Sequence, residues 1–213
     1  MIITIDGPGG CGKTTVAKIL AQKLRISYLD TGATYRALTL KVLKLRLDLN
    51  DEERIKEVAQ SLNLKIEKDK IYLDSKEVSA EIRTPTIDKN ISLVVSHPKV
   101  REEMVRLQRK IVEGNDFVVE GRDIATVVFP NAEFKFYLDA DFSVRCQRRY
   151  NELREKKINV DFEEVKRDLE KRDRADKERK VGALVKSKDA IYIDTTHLSI
   201  EEVVNKILSY IKK

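Results

Sequence analysis

Tryptophan is absent from this chain of 213 residues and all aromatics together make up only 6%, so the core it can build is aliphatic. Cysteine occurs twice, as Cys11 and Cys146, in unlike contexts. Two such residues make neither a disulfide framework nor a metal set, and suit a reducing compartment. Long apolar runs are missing as well: nothing approaches the ~18–20 residues of a membrane span. The opening Met1-Ile2-Ile3-Thr4-Ile5 carries no basic segment of the kind that begins a secretory signal, and a cytoplasmic protein that needs no processing is expected. With 8 Gly and 4 Pro, collagen-like and low-complexity chains are excluded. Charge, by contrast, is plentiful, at 37% of residues against a usual ~25%. Lys and Arg number 42 against 36 Asp and Glu, a formal net charge of +6. The length suits one domain, or one domain with a small insert.

Short apolar, β-branched or aromatic runs at 2–5, 26–29, 117–119, 134–138 and 191–193 read as buried strands. Helical periodicity lies between them, clearest over 16–24 and 100–112. Capping boxes are expected at Asn50 with Glu53, Asp161 with Glu164 and Ser199 with Glu202, the last opening a final helix to about Lys212. Strands alternating with helices predict a mainly parallel sheet covered on both faces, with ligands beyond the carboxyl ends of its strands. The stretch 64–82 breaks the alternation. Its short runs, separated by the polar turns Lys68-Asp69-Lys70 and Asp74-Ser75-Lys76, suit a small antiparallel β insert.

Between the first strand and the first helix stands Gly7-Pro8-Gly9-Gly10-Cys11-Gly12-Lys13-Thr14, followed by Thr15. This is a phosphate-binding loop by letters and by placement. Its glycines let successive backbone N–H groups point at phosphate oxygens, and the helix that follows adds its positive dipole end. Lys13 suits the β- and γ-phosphates and the Thr14 hydroxyl suits Mg²⁺. Asp30 and Glu120 each end an expected strand, and either can accept a hydrogen bond from Mg²⁺-bound water. A nucleoside triphosphate is therefore the expected ligand, but such a loop does not choose among ATPases, GTPases and kinases.

Further motifs narrow the choice: Leu29-Asp30-Thr31-Gly32-Ala33-Thr34-Tyr35-Arg36, Ser79-Ala80-Glu81-Ile82-Arg83-Thr84, Val119 to Pro130 around Glu120-Gly121-Arg122-Asp123, and Lys171-Arg172-Asp173-Arg174-Ala175-Asp176. In order and spacing, nearly the whole chain resembles the bacterial-type cytidylate kinases. It departs from their pattern at Ala125, where Gly is usual, and at Thr14-Thr15 after the loop lysine. The resemblance implies the P-loop nucleoside monophosphate kinase fold: a five-stranded parallel sheet flanked by helices, an antiparallel acceptor-binding insert at 63–83, and a short mobile lid at about 171–180. Residues 1–213 would form one domain, its core 1–62, 84–170 and 181–213. It also implies Mg²⁺-ATP as donor, with CMP and dCMP as acceptors. Arg36, Arg101 and Arg122 would hold the acceptor phosphate; Arg101 and Asp123 would read cytosine, with Ser92 assisting; Asp176 would bind ribose; and Arg83 could swing inward. Lys13, Arg122, Arg172 and Arg179 would stabilise the transferring phosphoryl group. Tyr35 would pack beside the nucleotide or in the core, and Thr31 either donates its hydroxyl or caps its helix. Arg145 and Arg148 are candidate contacts to donor phosphates.

The charge requirement agrees with this reading, because joining two polyanions needs more cations than a P-loop supplies, and arginine forks bind phosphate bidentately. A carboxylate also accepts from the cytosine amine, where uracil presents another acceptor. The competing readings are a P-loop kinase for UMP, AMP or a non-nucleotide, and a nucleic-acid-binding ATPase suggested by a pI near 9.1. Acidic residues interleaved with the basic ones, and no series of stacking aromatics, weigh against nucleic acid. A monomer is expected, with no membrane partner.

Overall fold

A computed structural model describes residues 1–67 and 70–211. Lys68 and Asp69 of the expected turn, and Lys212 at the expected end of the last helix, lie outside the described residues. The chain divides into two compact units, Met1–Leu29 with Asp116–Lys213, and Asp30–Asn115.

The first unit is built on a parallel sheet of β1 (Ile2–Asp6), β2 (Ser27–Asp30, whose last residue opens the second unit), β6 (Phe117–Gly121), β7 (Phe134–Asp139) and β8 (Ile191–Asp194), in the order β2-β6-β1-β7-β8. Each strand lies within two residues of its expected place. The central strand β1 pairs Asp6 with Gly121 on one side and Tyr137 on the other. The inner strands β1 and β6 are buried in apolar runs because helices cover the sheet, whereas the edge strands β2 and β8 are partly exposed, with Tyr192 of β8 at 52%. Ile3, Ile5, Phe136 and Leu138 have no exposed surface and pack with Val16 and Leu20 of α1 (Lys13–Leu24) and Val203, Val204 and Ile207 of α8 (Ile200–Ile211). Each such side chain contributes roughly 1.5–3 kcal/mol. α6 (Phe142–Glu155) and α7 (Phe162–Glu178) complete the unit.

The second unit holds α2 (Thr31–Lys44), α3 (Glu52–Gln60), α4 (Pro85–Val94) and α5 (Pro98–Val112) around the antiparallel sheet β3 (Leu64–Glu67), β4 (Lys70–Leu73) and β5 (Lys76–Glu77). Leu38, Ile55, Ile82 and Met104, none with exposed surface, sit at its centre. The expected insert is thus the sheet of a larger unit that includes four helices.

Helix starts correct one expectation. At Ser199 the box is complete, with Ser199 N–H donating to Glu202 at 2.7 Å and Glu202 N–H to Ser199 Oγ at 3.3 Å. Asp161 caps α7 through Glu163 N–H at 3.1 Å. Asn50 does not cap α3: its side-chain amide donates to Asp48 at 3.0 Å, and Asp51 caps instead, accepting from Arg54 N–H at 3.1 Å. Asp51 is the residue directly before the first helical residue, Glu52, and an aspartate there also suits the helix dipole.

Candidate active site

The loop after β1 is forced by sterics at two positions. A Cβ on Gly7 would lie 2.1 Å from the Leu138 carbonyl oxygen. Gly10 has φ +78, and a Cβ there would come within 2.7 Å of the Arg145 carbonyl, a double demand only glycine meets. Gly12 precedes α1 with no side-chain cap, so the amides of its first turn face the loop for an anion. Lys13 is buried and donates to the Pro8 carbonyl at 3.1 Å. Burial lowers its pKa, and the neighbouring guanidinium of Arg122 lowers it further. Cys11 is 1% exposed and belongs to the core behind the loop, so it is a packed small side chain. Thr15 is exposed.

The Thr14 hydroxyl donates to Glu120 Oε1 at 2.6 Å, and Tyr28 donates to the same oxygen at 3.1 Å. Of the two candidate carboxylates, Glu120 is therefore the one beside Thr14. Asp30 is engaged in its own unit, capping α2 through Ala33 N–H at 3.0 Å and facing Arg83 at 3.3 Å. No group of three or more His, Cys, Asp or Glu that could hold a metal occurs among the described residues. A hydroxyl and one carboxylate are hard oxygen donors, and they fit Mg²⁺ that is otherwise held by phosphate and water.

Beside the loop lies a cluster of guanidinium groups organised by one acid. Asp176 is 6% exposed and accepts from Arg122 Nε at 2.7 Å and from Arg179, which also donates to the Gly182 carbonyl at 3.1 Å. Burial raises the Asp176 pKa, but Arg122, Arg172 and Arg179 outweigh it and hold the carboxyl below its usual range. Burial likewise opposes the charge on Arg122, and Asp176 more than restores it. An Arg122 terminal nitrogen comes within 3.8 Å of where a Cβ on Gly9 would stand. Lys13 and Arg122 thus meet beside the loop, Arg172 and Arg179 join Arg122 around Asp176, and the buried Glu120 is a second counter-charge, an arrangement suited to phosphoryl oxygens.

The segment 171–180, expected as a lid, is the last eight residues of α7 with Arg179 and Lys180 after it. Arg145 and Arg148, candidates for donor-phosphate contacts, both bond within the protein. Arg145 is 7% exposed and supports the loop from behind, donating to the Gly9 carbonyl at 3.0 Å and to Asp173 at 2.6 Å. Arg148 donates to the Thr195 hydroxyl at 3.0 Å and carbonyl at 2.7 Å. Sequence reading missed Thr195, whose hydroxyl reaches the Cys11 carbonyl at 3.1 Å, and it missed Asp6, which accepts the Ile124 and Ala125 amides at 2.8 Å each. The signal for Asp6 was present, a carboxylate closing an apolar strand directly before the loop glycine.

In the second unit, Arg36 reaches the Ile82 carbonyl at 3.1 Å and pairs with Asp88. Arg101 is 2% exposed, its guanidinium 5.4 Å from the centre of the buried Tyr35 ring. This is a cation–π contact that holds a fork in place without neutralising it. Thr31 is buried as the first residue of α2, but Asp30 is the cap, so the capping alternative for Thr31 fails. Ser92 and Arg83 are exposed. Asp123, 4% exposed, belongs to the first unit and begins a wide turn over Ile124–Val128.

Among known proteins, the family model described as cytidylate kinase matches residues 3–213. A cytidylate kinase of Caldanaerobacter subterraneus subsp. tengcongensis is 50% identical over 99% of this chain and 94% of its own length. One from Alkaliphilus oremlandii is 48% identical over 99% and 97%, and one from Fusobacterium nucleatum 44% over 100% and 98%. A solved shikimate kinase of Bacteroides thetaiotaomicron, 13% identical, matches 100% of this chain and 99% of its own with a TM-score of 0.50, which speaks to the fold as a P-loop kinase fold. With that fold and with relatives at such identity along its whole length, the chain belongs to the cytidylate kinase family.

Proposed function

We propose that this protein transfers the γ-phosphoryl group of ATP to CMP and dCMP, giving ADP and CDP or dCDP. The observation that carries the reading is the guanidinium cluster around Asp176 beside a P-loop whose lysine is buried. Binding one nucleotide does not need that much positive charge; joining two phosphate chains does. An acceptor phosphate oxygen attacks the γ-phosphorus while the bond from phosphorus to the β,γ-bridging oxygen breaks, and that oxygen leaves with ADP. The attacking oxygen is already anionic near neutral pH, so no general base is required. Lys13, Arg122, Arg172 and Arg179 compensate charge on the transferring group, and the loop amides orient the donor. Arg36, Arg101 and Arg122 hold the acceptor phosphate. Arg101 and Asp123 read the cytosine edge with Ser92, Asp176 meets the ribose once its arginines turn to phosphate, and Thr31, Tyr35 and Arg83 line the acceptor. Thr14 with Glu120 would hold Mg²⁺, which when bound neutralises phosphate charge. The protein would act as a single-domain, monomeric enzyme of the cytoplasm, with the lid arginines on the last turns of α7 and just beyond.

A coupled assay of ADP release with Mg-ATP against CMP, dCMP, UMP and AMP, with an acceptor-free blank, tests this. Rapid turnover confined to CMP and dCMP is expected. Equal rates with UMP would discard the role of Asp123, and acceptor-independent turnover would make the protein an ATPase.

A further inference from the structure

Asp123 stands at the head of the turn Ile124–Val128, the position from which an aspartate ordinarily folds its carboxylate back onto the first amides of the turn it opens. Its side chain makes no such bond. Those amides are taken by a residue from another strand: Asp6 Oδ1 accepts from Ile124 N–H and Asp6 Oδ2 from Ala125 N–H, each at 2.8 Å. Both oxygens of a carboxylate that is 2% exposed are thus committed to the backbone beside Asp123. The far end of the turn closes on itself, Val127 N–H and Val128 N–H donating to the Asp123 carbonyl at 2.9 and 3.2 Å.

The arrangement is costly. Asp6 lies on the central strand of the sheet, with Asp123 facing it from the turn, Lys13 from α1 and Tyr137 from β7. Burial pushes its carboxyl up to about 7 against the pull of the two amides, and the second carboxylate adds to the rise. A position that served packing alone would be filled at lower cost by an apolar side chain.

We propose that Asp6 is a positioning residue for acceptor specificity: by occupying the turn amides that Asp123 would otherwise cap, it keeps the Asp123 carboxylate directed at the nucleobase. The proposal rests on the reading of Asp123 as the cytosine-recognising carboxylate. Asp6 acts on the acceptor only through Asp123.

The test is Asp6→Asn. Its amide keeps one acceptor oxygen but sets an NH₂ group against a backbone N–H, which frees one turn amide and draws Asp123 onto it. Losing one such buried bond corresponds to about a tenfold rise in KM for CMP. The preference for CMP over UMP should fall by a like factor, with kcat at saturating CMP and KM for ATP nearly unchanged. In an Asp123→Ala background, Asp6→Asn should alter the CMP-to-UMP ratio no further. Equal rises in KM for ATP and CMP with the ratio intact, or additive effects in the double variant, would overturn the proposal. Hydrogen exchange on the unaltered protein tests the clamp even if Asp6→Asn fails to fold: the Ile124 and Ala125 amides should exchange as slowly as those of β6. Exchange at loop rates would overturn it. A wild-type enzyme without CMP preference would remove the Asp123 reading and this proposal together. That result differs from a wild type that prefers CMP and an Asp6→Asn variant that keeps the preference, which removes Asp6 alone.

Discussion

Lys13 is held ready by the protein itself, its ammonium on the Pro8 carbonyl at 3.1 Å inside a loop whose curvature Gly7 and Gly10 permit. Its charge matters most when the γ-phosphoryl group is in flight, so Lys13→Ala should lower kcat by about 10²–10³-fold or more. The circular-dichroism spectrum should be unchanged, and near-normal turnover would refute the P-loop assignment. Asp123 governs selection: Asp123→Ala should reduce the preference for CMP over UMP about tenfold or more, since a good base contact discriminates by ~1–3 kcal/mol. Competition assays with both acceptors read this directly, and an unchanged preference would move base recognition elsewhere. Asp6 adds a pH signature. Burial raises its folded-state pKa to about 7, well above the ordinary carboxylate range, so the folded protein binds this proton more tightly than the unfolded chain. The stability this contributes is complete below about pH 4 and is lost as pH rises to about 7, on the order of 1 kcal/mol per pH unit. Urea titrations across that window should show the protein losing stability relative to Asp6→Asn, and a constant difference would mean that Asp6 does not titrate there.

Helices α2 and α5 are joined by a buried relay: Gln108 Nε2 donates to Thr34 Oγ1 at 2.9 Å, and Thr34 Oγ1 donates to the Thr31 carbonyl at 2.7 Å. Both side chains are wholly buried, and Gln108 Oε1 has no hydrogen-bond partner among the described residues. Thr34→Val should therefore destabilise by about 1–3 kcal/mol, because it leaves the Gln108 amide buried and unmatched. Adding Gln108→Leu should recover part of that loss, since no orphaned donor then remains, whereas additive losses in denaturant titrations would show that the relay does not couple the helices. None of this was legible in the sequence, where Gln108 is one polar residue in a charged helix. What was legible at this scale is what local chemistry decides. Apolar runs gave the sheet, periodicity gave α1 and α5, and Ser199 with Glu202 marked α8. The start of α3 was misplaced by one residue because Asn50 and Asp51 are both good caps standing side by side, and the spacing of capping residues does not choose between them.

For the molecule as a whole, the phosphate loop could be read in advance because its requirements are steric and contiguous. Arg145 and Thr195 could not, because each acts on backbone more than 100 residues away in sequence, and for Asp6 the strand-closing carboxylate was visible but the distant amides it meets were not. For Arg145 the sequence does not distinguish a fork that meets a ligand from one that meets the Gly9 carbonyl, as it does in the structure. The acceptor reading therefore has to be judged on the intact protein, through linkage: a ligand that binds only the folded state stabilises it by RT ln(1 + [L]/Kd), about 2.7 kcal/mol at a hundredfold excess over Kd. For a chain of this size that corresponds to a melting shift of about 5–10 °C. CMP at such a concentration should produce this shift, and UMP at the same concentration a clearly smaller one, because every mispaired contact at the base subtracts from affinity while the phosphate contacts are shared. Equal shifts would mean that the arginines bind the acceptor phosphate without the base being read, and the protein would then be a nucleotide kinase whose selectivity does not arise in binding.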